Sequence, residues 1–215
     1  MAEVVGAGIP GLRERKKQRT RSMLIDAAVE LCDRQGFDNT TVDQIAAVAD
    51  VSPRTFSRYF ATKDAVILAL IDDMTAAIAE QLAQQPPELN PLDAMFRAHV
   101  AMIKATASVS ADGFTTERLK TITRIVNSSP GLRLAASDFR DHAVTQTLAN
   151  RMGVEFDDKR LQLTVAVFAT ILLCAIDELA HVTDWSRVDA DALVDVLVKT
   201  YERFADICAD PRPSV

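Results

Sequence analysis

The sequence is poor in cysteine and lacks any arrangement of residues that would hold a structural metal. Its three cysteines, Cys32, Cys174 and Cys208, are odd in number, far apart and outside any C-x-x-C or Cys/His cluster. The three histidines, at positions 99, 142 and 181, share no metal-ligand spacing. We therefore expect no structural metal and a protein of the reducing cytoplasm.

The sequence also lacks an apolar run long enough to cross a membrane. Its most apolar stretch, 163–176, has 14 residues between charged neighbours, whereas a membrane span needs roughly 18 to 20. No basic stretch followed by an apolar segment marks a signal peptide at the N-terminus. We expect this run to form a buried helix, and we expect no membrane partner.

Motifs of common catalytic sites are missing as well. The sequence contains no G-x-S-x-G elbow, P-loop, H-E-x-x-H pair or EF-hand loop. Residues 6–11 match the G-x-G-x-x-G pattern of dinucleotide-binding folds, but only five residues precede them and no alternating strands and helices follow. The pattern suits a flexible leader, so we expect neither an enzyme nor a cofactor.

What the sequence does have is helical periodicity along almost its whole length. No strand-like alternation bounded by turns is present, so the predicted fold class is all-α, with about nine helices. Hydrophobic residues make up 48% of the 215-residue chain, which is ample for a buried core.

Charge is distributed unevenly along the chain. The net charge is -6, yet residues 1–63 contain ten Lys and Arg against eight Asp and Glu. Six of these basic residues lie between Arg13 and Arg21 and face only Glu14. Such a cluster attracts phosphate or another anionic surface, although a solvated tail would look the same.

The first two predicted helices carry clear start and stop signals. Apolar residues recur at i, i+3, i+4 and i+7 from Leu24 to Leu31, and Gly36 follows as a helix end. Thr40 and Asp43 then form a start that resembles a capping box. The second helix is predicted to end near Val48.

A third helix follows after a four-residue turn. Ser52 is its predicted N-cap, Pro53 occupies the first helical position, and the helix runs to about Phe60. Thr62 is the predicted N-cap of a long fourth helix. Two short helices joined by a turn and supported by a preceding helix form a helix-turn-helix, which places its last helix in the DNA major groove.

Arg54 and Arg58 are the predicted base-reading residues. They lie one turn apart on the third helix, roughly opposite Phe56, and a guanidinium can donate two hydrogen bonds to guanine O6 and N7. The other predicted DNA contacts are polar or basic residues that would touch bases or phosphates. They are Lys16, Lys17, Arg19, Thr41, Ser52, Thr55, Ser57, Tyr59 and Lys63.

These residues together resemble the N-terminal domain of TetR-family transcriptional regulators. The resemblance covers about residues 15–70 and depends on spacing as well as identity. The residues that carry it are Ile25-Asp26-Ala27-Ala28, Gly36-Phe37, Thr40-Thr41-Val42, Ile45-Ala46, Val51-Ser52, Thr55, Tyr59-Phe60 and Lys63-Asp64.

The sequence departs from the family pattern in three places. The family usually has Gly where Asp50 stands, an aromatic where Ser57 stands, and a small or basic pair where Pro53-Arg54 stands. Asp tolerates left-handed turn geometry, so the fold is not endangered. The differences at 53, 54 and 57 leave the operator sequence undetermined.

The resemblance implies a repressor that binds palindromic double-stranded DNA as a homodimer and is released by a small-molecule effector. The helices that begin at Asp158 and Asp189 would pack with their mates in the dimer. The implied organisation is a flexible leader (1–12), a helix-turn-helix DNA-binding domain (13–61), a connecting helix (62–85), a ligand-binding and dimerisation domain (86–210) and a tail (211–215).

The resemblance also implies an effector cavity in the C-terminal domain, with the fourth helix coupling it to DNA binding. A hydrophobic lining would suit an apolar or amphipathic effector. The predicted cavity residues are Phe96, His99, Met102, Ile103, Ile122, Ile125, Phe139, His142, Gln146 and Phe168. Two alternatives stay open from sequence alone: a helical sensor or carrier without DNA binding, and a helical enzyme with a dispersed site.

Overall fold

The computed structural model describes residues 11–107, 115–138 and 142–209. Within these residues the chain forms ten α-helices and two short 3₁₀ turns, with no strand. The predicted all-α fold is therefore confirmed. The helices are α1 (Leu12–Gln35), α2 (Val42–Val48), α3 (Pro53–Tyr59), α4 (Lys63–Ala83), α5 (Pro91–Ala105), α6 (Thr116–Asn127), α7 (Pro130–Asp138), α8 (His142–Met152), α9 (Lys159–Glu178) and α10 (Ala190–Ala209), and the 3₁₀ turns are Leu179–His181 and Trp185–Arg187.

The helix count differs from the predicted nine at one place. The segment from Ser129-Pro130 to Gly153, which the sequence predicts as one helix, is described as α7 up to Asp138 and α8 from His142. Residues 139–141 between them lie outside the described residues. The predicted leader up to residue 10 and the tail at 211–215 lie outside the described residues.

The chain divides into two compact units, residues up to Ile67 and residues from Leu68 onward. The first unit contains α1, α2, α3 and the start of α4. Within it, α1 packs against α2 and α2 packs against α3. Gly36 ends α1 with a φ of 83°, as predicted from its freedom to adopt left-handed geometry.

The capping box of α2 lies one residue later than predicted. Thr41 accepts a hydrogen bond from the Gln44 backbone N–H at 3.2 Å, and the Gln44 side chain accepts one from the Thr41 N–H at 3.0 Å. Thr40 is not the cap: its buried hydroxyl donates to Gly36 O at 2.9 Å and accepts from the Gln35 side chain at 3.4 Å. The prediction from Thr40 and Asp43 was therefore wrong by one position.

The turn between α2 and α3 contains the one non-glycine residue with a positive φ in the described part of the chain. Asp50 has a φ of 52°, where Asp is better tolerated than most residues. Val51 N–H donates to Ala46 O at 2.9 Å and closes the turn. Ser52 then caps α3 and Pro53 occupies its first position, as predicted.

The second unit is a helical bundle around one apolar core. α10 packs against α9 and α5, and α8 packs against α9. Leu148, Leu161 and Phe168 are among its fully buried side chains. The turn after α4 is tied to α8, because Arg151 donates hydrogen bonds to the carbonyls of Gln85 at 2.9 Å, Leu89 and Pro86.

Helix α9, predicted to be a buried helix, is only partly buried within one chain. Leu161, Phe168 and Ile171 pack in the core, but Leu163 is 65% exposed. The segment Lys159–His181 is long and apolar enough to cross a membrane, and only 22% of its most apolar window is buried within the chain. One such helix is weak evidence for a membrane span, and a single chain leaves much of its apolar surface uncovered.

Candidate DNA-binding surface and ligand cavity

The short helix α3 separates buried aromatic residues from exposed basic ones. Phe56 and Phe60 are 1% and 6% exposed, with ring centroids 5.9 Å apart, and they anchor the helix in the core of the first unit. Arg54 and Arg58 are both exposed. A helix fixed by its aromatic face and free on its basic face has the geometry that base reading requires.

The other polar residues of α3 make local hydrogen bonds at its two ends. The Ser52 side chain accepts a hydrogen bond from the Thr55 N–H at 3.1 Å, and the two hydroxyl groups lie 3.0 Å apart. Exposed Ser57 donates its hydroxyl to Pro53 O at 3.1 Å. Ser52 therefore stabilises the start of the helix. Ser57, by contrast, donates to the carbonyl of Pro53, which lies within the helix and needs no cap.

Replacing Ser52 by alanine is expected to lower the free energy of unfolding of the first unit by about 1 kcal/mol, because the cap of α3 is lost. Ser57→Ala is the matched control, since its hydroxyl satisfies no orphan N–H group. Urea unfolding followed by circular dichroism should separate the two variants. Equal unfolding midpoints would show that the Ser52 cap does not stabilise α3.

The basic N-terminal segment is helical and forms one wall of an open groove. Arg13, Lys16 and Lys17 of α1 share this groove with Arg58 and Tyr59 of α3. The lining contains four cationic side chains and one acidic residue, Glu14. Such a charge excess favours a polyanion such as a phosphate backbone. Predicted Arg19 is exposed on α1 but does not line the groove.

Tyr59 lines this groove next to the guanidinium of Arg58. The Arg58 guanidinium carbon lies 5.2 Å from the centre of its ring. A hydrogen bond with Thr20, together with the nearby Arg58, lowers the pKa of the Tyr59 phenol. A more acidic phenol is a stronger hydrogen-bond donor toward a phosphate oxygen.

Lys63 has a structural role that its predicted phosphate contact did not anticipate. Its ammonium donates to Phe37 O at 2.7 Å and to Thr40 O at 2.9 Å, with Asp38 O at 3.4 Å. The ammonium also lies 4.2 Å from the centre of the Phe37 ring. Because these carbonyls engage the three N–H donors, Lys63 fixes the turn between α1 and α2.

A cavity of about 240 Å³ lies within the second unit, lined by residues of α4, α5, α6, α8, α9 and α10. Its wall is apolar, with three methionines and one phenylalanine, Phe168. No charged side chain belongs to the described wall. The polar residues of the described wall are Thr75, His99, Thr123 and Thr145.

His99 is the one ionisable group of the described wall. It is 6% exposed, its Nδ1 lies 2.7 Å from Met95 O, and its ring centre lies 4.6 Å from that of Phe168. Burial lowers the pKa of His99 from 6.5 to about 4, against a smaller opposing effect of the hydrogen bond to Met95. The imidazole is therefore neutral at pH 7.

Acidification is expected to destabilise the second unit through His99. In the unfolded chain the imidazole of His99 takes up a proton near pH 6.5, but in the folded protein it does so only near pH 4. The free energy of unfolding therefore decreases as the pH is lowered from 6.5 to 4. The loss amounts to about 3 kcal/mol, the equivalent of this pKa difference. His99→Leu should remove this part of the pH dependence in urea unfolding.

His142→Leu is the control for this experiment, because His142 lies on the surface. It should keep the wild-type dependence of the unfolding free energy on pH. A His99→Leu variant that loses as much stability as wild type between pH 7 and pH 4 would contradict the assignment.

The sequence pattern described as "Bacterial regulatory proteins, tetR family" matches residues 24–70, the segment from the middle of α1 into α4. The HTH-type transcriptional regulator TcmR of Streptomyces glaucescens is 38% identical over 166 residues, which cover 75% of this chain and 74% of that protein. The chain belongs to the TetR family. It is a helix-turn-helix, DNA-binding transcriptional regulator and not an enzyme.

Further likenesses concern a second relative and the fold. The repressor NicS of Pseudomonas putida is 26% identical over 93 residues, 43% of this chain and 44% of that protein. The TetR-family repressor FadR of Thermus thermophilus, in complex with lauroyl-CoA, superposes with a TM-score of 0.51 at 22% identity and covers 91% of this chain and 98% of its own. A TetR-family regulator of Streptomyces coelicolor A3 gives a TM-score of 0.51 at 21% identity, with 94% and 99% covered.

The cavity of this TetR-family regulator contains half of the ten residues predicted for it. Their contact with a ligand remains a prediction. Phe139 lies outside the described residues. The predicted residues that line the cavity are His99, Met102, Ile103, Ile122 and Phe168.

Phe96 was predicted to line the cavity and does not. Its ring stacks on that of Tyr201, with ring centroids 4.3 Å apart. Tyr201 donates its hydroxyl to Asp93 at 2.7 Å, and burial followed by this hydrogen bond raises the pKa of the phenol. Phe96 therefore joins α5 to α10 as a packing residue.

Ile125, His142 and Gln146 are also corrections to the predicted cavity. Ile125 is 1% exposed in the core but is not part of the cavity wall. His142 is exposed and stacks on Phe156 at 5.4 Å. Gln146 is exposed and donates to the Asn150 side chain at 3.0 Å. These three side chains lie on helix faces directed away from the cavity.

Sequence reasoning missed part of each site. In the basic groove, Arg13 was assigned to the phosphate-attracting cluster but not to the predicted DNA contacts, although positions 13, 16, 17 and 20 recur at the spacing of one helical face. In the cavity, sequence reasoning missed the wall formed by α4 and the polar positions on α6 and α8, for which the sequence gives no distinct signal. The missed cavity residues include Met74, Thr75, Ile78, Thr123 and Thr145.

Proposed function

We propose that this TetR-family regulator represses transcription by binding a palindromic operator as a homodimer, and that a small molecule in the cavity releases it. The exposed pair Arg54 and Arg58 on an anchored α3 is the observation that carries the DNA-binding part of this proposal. The relative NicS and the Thermus FadR are both named as repressors, which supports repression rather than activation.

The uncovered apolar face of α9 supports the proposed homodimer. Leu163, Ala166, Thr170 and Cys174 are exposed and recur at the spacing of one helical face. At the end of α10, Ile207 is 76% exposed. Exposed apolar surface of this kind marks an interaction site, and a second copy of the same two helices would cover it with a four-helix bundle.

The proposed contacts divide into base-reading and phosphate-binding residues. Arg54 and Arg58 read bases, flanked by Thr55 and Ser57. Phosphate contacts position the protein without specifying sequence. We assign them to Lys16, Lys17, Arg19, Thr41, Ser52 and Tyr59.

Lys16→Ala or Lys17→Ala is expected to weaken binding to all duplexes to a similar extent. Each should reduce the slope of log Kd against log salt by about 2, because a homodimer loses one phosphate contact and its released counterion in each protomer. Fluorescence anisotropy with labelled operator and scrambled duplexes over a salt series measures both quantities. A change of sequence preference without a change of slope would contradict the assignment.

Lys104→Ala provides the control, because Lys104 is an exposed lysine on α5 of the second unit. Its salt slope should equal that of wild type. The same salt series tests the alternative of a ligand sensor without DNA binding, for which no operator would bind more tightly than scrambled DNA.

Helix α4 supports the proposed coupling between cavity and DNA. Lys63 at its start holds the α1–α2 turn, and Met74 and Ile78 further along the same helix line the cavity. A ligand that favours one position of α4 would change the population of the DNA-binding state. The effect on affinity is expected to be about 5- to 150-fold, the usual range of such coupling.

Release can be tested with a screen that selects compounds by their binding alone. Compounds that raise the melting temperature of the full-length protein in a library screen are titrated into the protein–operator complex. Compounds that bind the wild-type protein but not a cavity variant such as Phe168→Ala occupy the cavity. These compounds should lower the affinity of the wild-type protein for the operator. If every such compound leaves operator affinity unchanged, the release mechanism is wrong.

A further inference from the structure

The cavity of the second unit presents more hydrogen-bond acceptors than donors. His99 Nδ1 lies 2.7 Å from Met95 O. Because a carbonyl oxygen only accepts, Nδ1 must carry the proton, and Nε2 is then an acceptor. His99 lines the cavity, and because its Nδ1 is tied to the preceding turn of its own helix, Nε2 is the ring nitrogen that remains for a ligand. No group in the described residues donates a hydrogen bond to Nε2.

Two of the three cavity threonines already donate their hydroxyl protons to backbone carbonyls. Thr75 donates its hydroxyl to Asp72 O at 2.9 Å, and Thr123 donates to Leu119 O at 3.0 Å. Each therefore offers only lone pairs to a ligand. Thr145 adds one hydroxyl that can act either way. All four polar side chains, including His99, are at most 8% exposed.

The wall disfavours a charged ligand. The described lining contains no Lys, Arg, Asp or Glu, and His99 is neutral at pH 7. A carboxylate or phosphate placed there would be buried without a partner, which strongly disfavours its binding. A ligand that donates a hydrogen bond, by contrast, satisfies the imidazole nitrogen that the fold leaves open.

The apolar part of the wall suits an aromatic skeleton. It combines Phe168 with three methionines, Met74, Met95 and Met102. Thioether sulfur makes favourable contacts with aromatic rings and adapts to irregular shapes. The volume of about 240 Å³ is near the lower end of ligand pockets.

We propose that the ligand of this cavity is a neutral aromatic compound whose hydroxyl group donates a hydrogen bond to His99 Nε2. This inference rests on the proposed function, in which the cavity holds the effector. It names the chemical class that the polar atoms of the wall select: a hydroxylated arene, rather than an acid, an acyl thioester or a plain hydrocarbon.

Calorimetric titration of the full-length protein at pH 7.5 tests the proposal with three matched probes. These are 2-naphthol, its methyl ether 2-methoxynaphthalene, and 2-naphthoate. We expect 2-naphthol to bind about tenfold or more tightly than the ether, because the ether leaves the buried acceptor unpaired. We expect 2-naphthoate to bind most weakly, because its charge finds no partner.

His99→Phe removes the acceptor and retains an aromatic ring against Phe168. It should reduce the preference for 2-naphthol over its ether to within about twofold of unity, since no acceptor remains at this position. His142→Phe, which changes a surface histidine, should keep the full preference.

A measurement on the wild-type protein keeps the test independent of the folding of the variant. Long-range ¹H–¹⁵N correlation spectra should show His99 as the Nδ1-protonated tautomer, and 2-naphthol should shift its Nε2 resonance.

The outcomes separate this inference from the proposed function. Equal affinity for 2-naphthol and its ether, or tighter binding of 2-naphthoate, would overturn the ligand class and leave a ligand-binding cavity intact. Absence of binding by all three probes at millimolar concentration would count against both. An Nε2-protonated His99 would overturn the assignment of the acceptor.

Discussion

Replacing Leu163 by glutamate is expected to convert the proposed homodimer into a monomer and to weaken operator binding by at least about 100-fold. Leu163 is 65% exposed on the apolar face of α9. In a dimer that covers this face, the new carboxylate would be buried without a partner, at a cost that the interface cannot offset. Each recognition helix would then bind its half-site without the gain from simultaneous binding of the second.

Sedimentation velocity at micromolar concentration measures the change of mass, and anisotropy measures operator affinity. Leu134→Glu is a matched control, because Leu134 on α7 is also 65% exposed. It should leave both mass and affinity unchanged. A Leu163→Glu protein that remains dimeric would show that this face of α9 is not the interface, whereas a monomer with wild-type operator affinity would refute reading by a dimer.

The double substitution Arg54→Ala with Arg58→Ala is expected to abolish sequence discrimination. Each guanidinium that makes two hydrogen bonds to guanine contributes about 1–3 kcal/mol of discrimination, so the pair contributes roughly 2–6 kcal/mol in each half-site if the two contacts are independent. Each single variant should relax selectivity at one base pair of each half-site. Non-specific affinity should fall much less, because the groove of Arg13, Lys16 and Lys17 remains.

Competition between operator and scrambled duplexes gives the specificity ratio directly. Arg187→Ala removes an exposed arginine from the second unit and should leave this ratio unchanged. If the double variant discriminates operator from scrambled DNA as well as wild type does, other residues read the bases. Circular dichroism should show an unchanged fold, because both side chains are exposed.

Local signals in the sequence predicted the helix-turn-helix well. Ser52 with Pro53, Asn90 with Pro91 and the glycine at position 36 mark helix ends where the structure has them. These signals work because capping and left-handed geometry depend on a few neighbouring residues. The choice between Thr40 and Thr41 as a cap could not be made in this way, because it depends on which hydroxyl the fold buries.

The cavity was less predictable because it depends on how helices rotate against one another. The sequence identified His99 and Phe168 but also proposed His142 and Gln146, which lie on exposed faces. Residues that line a cavity and residues that fill a core are both apolar and can be neighbours in the sequence. Periodicity alone therefore does not distinguish a cavity wall from a solid core. The tautomer of His99 follows only from its distance to Met95 O.

The apolar character of α9 allowed two predictions, a helix buried in one chain and, through the family resemblance, a helix that packs with its mate in a dimer. The run 163–176 is apolar on every side, and such a helix can be buried in one chain or shared between two. Its burial depends on how many neighbours the rest of the chain provides. In the structure α5, α8 and α10 pack against it and still leave Leu163 exposed.

Selection of duplexes from a random library by the full-length protein tests the central claim most directly. We expect an inverted repeat whose half-site centres lie about 10 base pairs apart or a multiple of this, because a two-fold dimer presents its two recognition helices in this way. The Arg54→Ala variant should lose selectivity at one position of each half-site. Enrichment of no motif, or of a single half-site without its inverted partner, would contradict sequence-specific binding by a dimer.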